Sequence, residues 1–120
     1  MSFDFGTVVL VPFPYTNMTG GKRRPAVVIS SPLYESQRPD VVVLAITSRI
    51  PVGNPVLQVV LSDWRGAGLA KPSAVKPVAL TVEKSVILRR LGHCTDEDRS
   101  RIESLVLACF GPGGTSPAVP

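Results

Sequence analysis

The sequence contains few of the residues from which most catalytic and metal sites are built. It has two cysteines and one histidine, and these three residues cannot by themselves complete a zinc site, which takes four ligands. It also has no carboxylate pair, no serine–histidine–aspartate set and no glycine-rich phosphate loop of the Walker type. These absences argue against most classes of hydrolase, and in particular against a nuclease that depends on a metal ion.

Disulfide bonds and membrane segments are also not expected. Cys94 and Cys109 flank a predicted helix that would hold them about 22 Å apart, whereas a disulfide needs Cα atoms within about 7 Å of each other. We therefore expect two reduced structural thiols. No apolar run approaches the roughly 20 residues of a membrane span, and the first residues, MSFDFG, lack the features of a signal peptide. A cytoplasmic protein is the expectation.

The composition that remains is that of a small basic domain. The chain has 120 residues, 44% of them hydrophobic, which suits a single domain over residues 1–110. Residues 111–120 have no periodicity and are expected to be a disordered tail. A net charge of +4 and a pI near 9.5 indicate an anionic partner such as nucleic acid, an acidic protein segment or a membrane surface.

Runs of β-forming residues predict most of the secondary structure. Pro77 would place its strand at an edge or in a bulge, and a glycine-containing loop over 62–72 is expected to be anchored on the core by Trp64. Residues 32–40 read as a polar connection, and residues 83–91 as either a helical turn or a short strand. The predicted strands cover residues 6–13, 26–31, 41–47, 56–61 and 73–80.

One helix is predicted after residue 95. Thr95 and Asp98 fit a capping box, Gly111 marks the end, and an apolar stripe should face the core while Asp98 lies on the opposite face. The stripe consists of Ile102, Leu105, Val106 and Cys109. The fold class is therefore mainly β with a C-terminal α-helix, as a bent antiparallel sheet or open barrel of about five strands.

Two polar clusters lie at predicted strand ends. Lys22, Arg23 and Arg24 precede strand two, and the triplet of Thr47, Ser48 and Arg49 ends strand three. If these strands pair antiparallel, Arg24 and Thr47 come to the same end of the sheet. An arginine fork beside a hydroxyl can bind a phosphate group, although a solvated surface loop explains the cations of the first cluster equally well.

These motifs resemble a known family. GTVVLVPFPYTN followed by GGKRRPAVVISS resembles the opening of the PemK/MazF toxin endoribonucleases, and VVVLAITSR resembles their next landmark. LSDWRGAGLAKPSAVKP and LRRLGHCTDEDRSRIESLV resemble the later strands and the terminal helix of that family. The resemblance covers roughly residues 5–109 with the motifs in the family order.

The resemblance implies an SH3-like antiparallel barrel and a homodimer in a type II toxin–antitoxin system. Such a toxin cleaves single-stranded RNA at a short sequence without a metal ion or other cofactor, leaving a 2′,3′-cyclic phosphate and a 5′-hydroxyl. The family's catalytic arginine and threonine fall on Arg24 and Thr47. A cognate antitoxin would lay an extended, often acidic segment over the RNA site, and toxin and antitoxin together would bind DNA.

Further residues are candidates for RNA contacts. Tyr15 would either stack on a base or pack at the base of its loop, and each cation alone is also explained as solvated surface charge. His93 reads as structural. The RNA-binding candidates are Phe13, Tyr15, Lys22, Arg23, Ser48, Arg49 and Lys76.

One departure from the family leaves alternatives open. Some members carry an acidic residue followed by glutamine in strand five, where this chain has Val78 and Ala79. Because arginine is a poor proton acceptor, the general base of the reaction stays open. The alternatives are a module of the same fold that binds nucleic acid without cutting it, and a gyrase-poisoning toxin of a related fold that would depend on the C-terminal helix.

Overall fold

The computed structural model describes residues 2–13, 22–51, 53 and 56–113, and these form a curled antiparallel sheet with two helices. The sheet has six strands in the order β4-β5-β3-β2-β1-β6, one strand more than predicted. Helix α1 covers Pro32–Gln37 and α2 covers Asp96–Phe110, with a 3-10 turn at Lys84–Val86. The strands are β1 Thr7–Pro12, β2 Arg23–Val28, β3 Asp40–Thr47, β4 Val59–Val60, β5 Ala74–Glu83 and β6 Arg89–His93. The mainly β prediction with a terminal helix is confirmed.

The sheet buries both of its faces. Alternating residues of a strand point to opposite faces, and β1 shows this directly, since Val8 and Val9 belong to different cores. The first core lies under α2, whose Ile102 and Leu105 are fully buried in it. The second contains Phe3 and several valines of the three central strands. This explains why β1 is apolar on both alternations, as the sequence indicated.

Strand β2 begins three residues earlier than predicted. Arg23 and Arg24 lie inside the strand, where they pair with Pro12 and Val11 of β1, so the cations are part of the sheet rather than of the preceding loop. The prediction was wrong here because a charged side chain favours contact with solvent but does not prevent its backbone from pairing. The consequence is that Arg24 is held by a rigid element.

Strand β5 is bulged, as Pro77 predicted. Leu44 pairs with Ala79 and Ile46 pairs with Val75, so Ala45 alone faces residues 76–78. A bulge accommodates the missing proline N–H and bends the sheet. For residues 83–91 the sequence allowed either a helical turn or a short strand. The structure has both, since the 3-10 turn ends at Val86 and β6 begins at Arg89.

The polar connection predicted over residues 32–40 contains helix α1, which was missed. Ser31 caps it by accepting a hydrogen bond from the Tyr34 N–H at 3.1 Å, and Pro32 suits the first helical position. The Tyr34 hydroxyl donates to Asp40 at 2.5 Å, and Arg38 pairs with the same carboxylate at 2.9 Å. Hydrogen bonds from Arg38 and Tyr34 hold the pKa of Asp40 below its usual value. A six-residue helix without a buried residue leaves no periodic signal in the sequence.

Helix α2 is capped by Thr95, whose Oγ1 accepts the Asp98 N–H at 3.1 Å. Asp98 itself was wrongly assigned to the solvent face, since its side chain is only 1% exposed. Its carboxylate accepts the Ser62 N–H at 2.8 Å and the Asp63 N–H at 3.3 Å, and pairs with Arg101 at 2.8 Å. Asp98 therefore fastens the loop after β4 to the helix.

Trp64 and the two cysteines are found as the sequence predicted. Trp64 packs against the first core and anchors the loop that follows β4. Cys94 and Cys109 are free thiols, and burial raises the pKa of Cys94 to about 11. In the described residues no helix is both long and apolar enough to cross a bilayer.

Candidate functional site

The pairing of β2 with β3 brings Arg24 and Thr47 together. The strands are antiparallel with Ala26 opposite Ala45, and two residues further along the same register Arg24 comes opposite Thr47. Directly opposed side chains of an antiparallel pair point to the same face. Both residues line one open cleft of about 240 Å³ at the end of the sheet.

The cleft is strongly cationic. Arg24, Arg49 and Lys71 border it, and the residues lining it include neither a carboxylate nor an imidazole. None of the three cations forms an ion pair within the described residues. The other lining residues are Pro25, Ile46, Thr47, Ser48, Leu69, Ala70 and Ser73. An anionic ligand is therefore the class that the cleft suits best.

The Arg24 side chain has a hydrogen-bond donor that is available to a ligand. Its side chain is half-buried, and its Nε atom is buried without a hydrogen-bond partner among the described residues. A buried donor without a partner costs about 1–3 kcal/mol, and a ligand oxygen would remove that cost. Because β2 pairs with β1 on one side and with β3 on the other, the backbone that carries the Arg24 guanidinium is fixed in position.

Thr47 is prepared to donate a hydrogen bond. Its Oγ1 accepts the backbone N–H of Arg49 at 3.1 Å. A hydroxyl has one donor and two acceptor sites, so this contact occupies an acceptor site and leaves the proton for a ligand. The same contact folds the chain after β3 back on itself, which brings Ser48 and Arg49 to the cleft.

Two polar residues of the cleft were not among the predicted site residues. Lys71 and Ser73 enter it because Thr47 pairs with Ala74 of β5, which places the residues before β5 beside those after β3. The Ser73 hydroxyl donates to the Lys71 carbonyl at 2.8 Å and shapes this segment. Only the pairing of β3 with β5 would have identified these two residues. That pairing is hard to predict from the sequence because β3 and β5 are not consecutive in the chain.

The remaining predicted RNA contacts that the structure describes do not line the cleft. Phe13 is corrected, because it is only 2% exposed in the second core and so presents no surface to a base. Tyr15 falls outside the described residues. Lys22 and Arg23 are exposed near the start of β2, and Lys76 is half-buried in the β5 bulge, but none of these three lines the cleft.

Two further features of the sequence analysis are located by the structure. His93 ends β6, where its Nδ1 lies 2.8 Å from the Cys94 carbonyl oxygen, and it does not line the cleft. Val78 and Ala79, which stand in place of the acidic residue and glutamine, are exposed on β5. In the part of the chain that the structure describes, no three potential metal-ligating side chains converge.

One family model matches most of the chain. Residues 4–110 match the model of the PemK-like, MazF-like toxins of type II toxin–antitoxin systems. A search of the curated proteins gives no significant match.

Several solved structures share the fold. An endoribonuclease bound to its cognate antitoxin, from a mycobacterial species, has a TM-score of 0.73 at 18% identity, with 93% of this chain and 98% of that chain covered. MazF of Deinococcus radiodurans has a TM-score of 0.70 at 20% identity, with 92% and 98% covered. A MazE–MazF complex of the same organism has a TM-score of 0.68 at 23% identity, with 90% and 95% covered.

The family model covers nearly the whole chain, and the curled sheet with its terminal helix is the fold of these structures. The chain therefore belongs to the PemK-like, MazF-like family of type II toxin–antitoxin toxins.

Proposed function

We propose that this toxin is an endoribonuclease that cuts single-stranded RNA without a metal ion. The observation that carries the proposal is that an arginine with an unsatisfied donor and a threonine with an available proton line the same cationic cleft. A phosphodiester has two non-bridging oxygens, and each of the two side chains can donate a hydrogen bond to one of them. The family membership supports the same activity.

The reaction needs only the substrate and this cleft. The 2′-oxygen attacks the adjacent phosphorus, the bond from phosphorus to the 5′-oxygen breaks, and the products are a 2′,3′-cyclic phosphate and a 5′-hydroxyl. The 2′-hydroxyl loses its proton to water, and the departing 5′-oxygen takes a proton from water. Arg24 and Thr47 stabilise the negative charge that develops on the non-bridging oxygens, where one pre-organised donor is worth about 3 kcal/mol.

The other cations of the cleft position the strand. Arg49 and Lys71 flank the Arg24–Thr47 pair and would bind neighbouring phosphates, which sets the register of the RNA without reading its sequence. Because the attacking group is a 2′-hydroxyl, DNA would not be cut.

The partners follow from the same surface. An acidic, extended antitoxin segment would compete with RNA for the cationic cleft, and the complexes of similar toxins with their antitoxins support an antitoxin as a partner. We further propose that the toxin is a cytoplasmic homodimer and that it binds DNA only together with its antitoxin.

A second candidate is a protein that holds RNA in the cleft without cutting it. The specific observation in its favour is that the lining supplies no carboxylate or imidazole to act as a general base, while Val78 and Ala79 replace the acidic residue and glutamine of some relatives. The two candidates share the binding surface and differ only in the chemical step.

Incubation of the purified toxin with a mixed-sequence RNA in EDTA separates them. We expect discrete cuts at a short sequence, with a cyclic phosphate on each upstream fragment and a hydroxyl on each downstream fragment, detected by ligation-dependent sequencing before and after phosphatase and kinase treatment. The same RNA with a 2′-deoxy sugar at the cut position should stay intact. Binding without any cut supports the second candidate, and cutting that requires Mg²⁺ contradicts the proposed mechanism.

A further inference from the structure

Two neighbouring arginines of β2 point to opposite faces of the sheet. Arg24 pairs with Val11, a member of the second core, and so lies on the face of that core. Arg23 pairs with Pro12, one position further along both strands. Because side chains alternate along a strand, Arg23 lies on the face of the first core and is turned away from Arg24.

A second arginine lies on the same face as Arg23. Val8 of β1 belongs to the first core, and Leu10 and Pro12 follow it by two and four residues, so all three point to that face. Arg89 of β6 pairs with Leu10, as Arg23 pairs with Pro12. Directly opposed residues share a face, so both arginines lie beside these two apolar residues of β1.

These four residues form a surface with an apolar centre and a cation on either side. Arg23 and Arg89 are exposed, and Leu10 and Pro12 are partly exposed. Within the described residues neither arginine forms an ion pair, and neither apolar side chain belongs to a hydrophobic core. Pro25, opposite Leu10, lies between this surface and the cleft that it lines. An anionic ligand with an apolar middle suits such a surface.

The spacing of the two arginines fits an extended peptide. Arg23 and Arg89 are two strands and two residues apart, which corresponds to about 12 Å between their backbones. In an extended peptide, residues four apart point to the same side at a distance of about 14 Å, with one residue between them that also points there. An acidic, an apolar and a second acidic residue at every second position would therefore match the surface. A nucleic acid strand carries a phosphate at each nucleotide and would place one over the apolar centre, where this surface has no cation.

We infer that Arg23 and Arg89, with Leu10 and Pro12 between them, bind an extended acidic segment of the antitoxin on the face opposite the proposed cut site. This rests on the proposed function only in taking an acidic antitoxin as the partner, and it does not depend on cutting. Each arginine pairs with one carboxylate, and the apolar side chain between the carboxylates packs on Leu10 and Pro12. The antitoxin then has a contact that RNA in the cleft does not displace, so it stays on the toxin while RNA is bound.

The probe is a labelled peptide of glutamate, serine, leucine, serine and glutamate, whose binding to the toxin is measured by fluorescence anisotropy. Excess RNA with 2′-fluoro sugars, which no 2′-oxygen can cut, keeps the cleft occupied. We expect the peptide to bind under these conditions, and the same peptide with glutamine in place of both glutamates to bind more weakly by at least about fivefold. Arg23→Gln and Arg89→Gln should each weaken binding of the acidic peptide roughly fivefold, the upper range for an exposed ion pair.

Each variant has a matched control one residue away on the opposite face. Arg24→Gln and Arg90→Gln remove the same charge, and Arg90 pairs with Val9 of the second core. Both controls should bind the acidic peptide within about twofold of wild type. RNA should show the reverse order, with a loss of affinity for Arg24→Gln and an affinity within about twofold of wild type for Arg23→Gln and Arg89→Gln. Because the two test variants lie on different strands, either one suffices if the other does not fold.

The outcomes separate this inference from the proposed activity. If the wild type cuts no RNA and peptide binding still depends on Arg23 and Arg89 but not on Arg24, the proposed cleavage fails and this inference stands. Complete displacement of the peptide by the RNA, or equal losses for Arg23→Gln and Arg24→Gln, would overturn it even if the wild type cuts. A loss of RNA affinity in Arg23→Gln and Arg89→Gln without a loss of peptide affinity would show that the surface binds RNA, and would also overturn it.

Discussion

Replacement of Arg24 by alanine is expected to slow RNA cutting by about 10³-fold while the protein stays folded. The guanidinium supplies the positive charge nearest the reacting phosphate in our account, and removal of one pre-organised donor to a developing oxyanion costs about 10²–10³ in rate. The structure gives Arg24 a buried Nε without a partner among the described residues, so its removal also removes an unsatisfied group. Single-turnover cutting of a labelled RNA measures the rate, and thermal unfolding measures the stability.

Companion variants separate charge from geometry. Arg24→Lys keeps the charge but loses the two-pronged fork, and should recover only a small part of the activity. Thr47→Ser keeps the hydroxyl and should cut at nearly the wild-type rate, whereas Thr47→Val should cut about 100-fold more slowly. Arg90 lies over the Phe3 ring, donates to the Ser2 carbonyl and does not line the cleft, so Arg90→Ala should cut normally. If Arg24→Ala cut RNA as fast as Arg90→Ala, the assignment of Arg24 would be wrong.

Replacement of Asp98 by alanine is expected to destabilise the protein by about 3 kcal/mol, because removal of one partner from a buried charge pair costs about 3–5 kcal/mol. The carboxylate accepts two backbone N–H groups of the loop that follows β4 and pairs with Arg101. The variant leaves these donors without their acceptor. The melting temperature should fall by about 10 °C, as followed by circular dichroism.

Asp96→Ala is the control for the Asp98 experiment. Both aspartates lie in the first turn of α2 and interact similarly with the helix dipole, but Asp96 is 97% exposed and only 3.7 Å from Arg99 in a surface ion pair. Its removal should cost no more than about 0.5 kcal/mol. Equal melting temperatures for the two variants would show that Asp98 does not fasten the loop.

The elements with strong local patterns could be predicted from the sequence. Strand β1, strand β3 and helix α2 each combine a long apolar pattern with a clear signal at the C-terminal end. These signals are Pro12 for β1, Thr47 for β3 and Gly111 for α2. The bulge in β5 followed from one residue, because Pro77 cannot donate to a ladder. In each case the physical cause lies within a few residues of its effect.

The features that were missed depend on contacts between distant parts of the chain. Asp98 reads as a surface residue beside its helical neighbours, and only the loop 35 residues or more away turns it into a buried acceptor. Lys71 reaches the cleft through the pairing of Thr47 with Ala74, which the sequence order does not suggest. Phe13 was named as an RNA contact, while its side chain is buried in the second core.

The Arg24–Thr47 pair was accessible to sequence reasoning for a particular reason. Arg24 lies at the start of β2 and Thr47 at the end of β3, the next strand along the chain. An antiparallel pairing of these two strands brings the start of one beside the end of the other. Their chemical roles are proposals that rest on the cleft they share and on the family.

A crystal structure of the toxin with an RNA that carries a 2′-deoxy sugar at the cut position would show whether Arg24 and Thr47 bind the same phosphate. We expect the phosphate at that position to have one oxygen within hydrogen-bond distance of the Arg24 guanidinium and another within hydrogen-bond distance of Thr47 Oγ1, at about 2.7–3.2 Å. A phosphate bound elsewhere, or one that contacts only one of the two side chains, would contradict it.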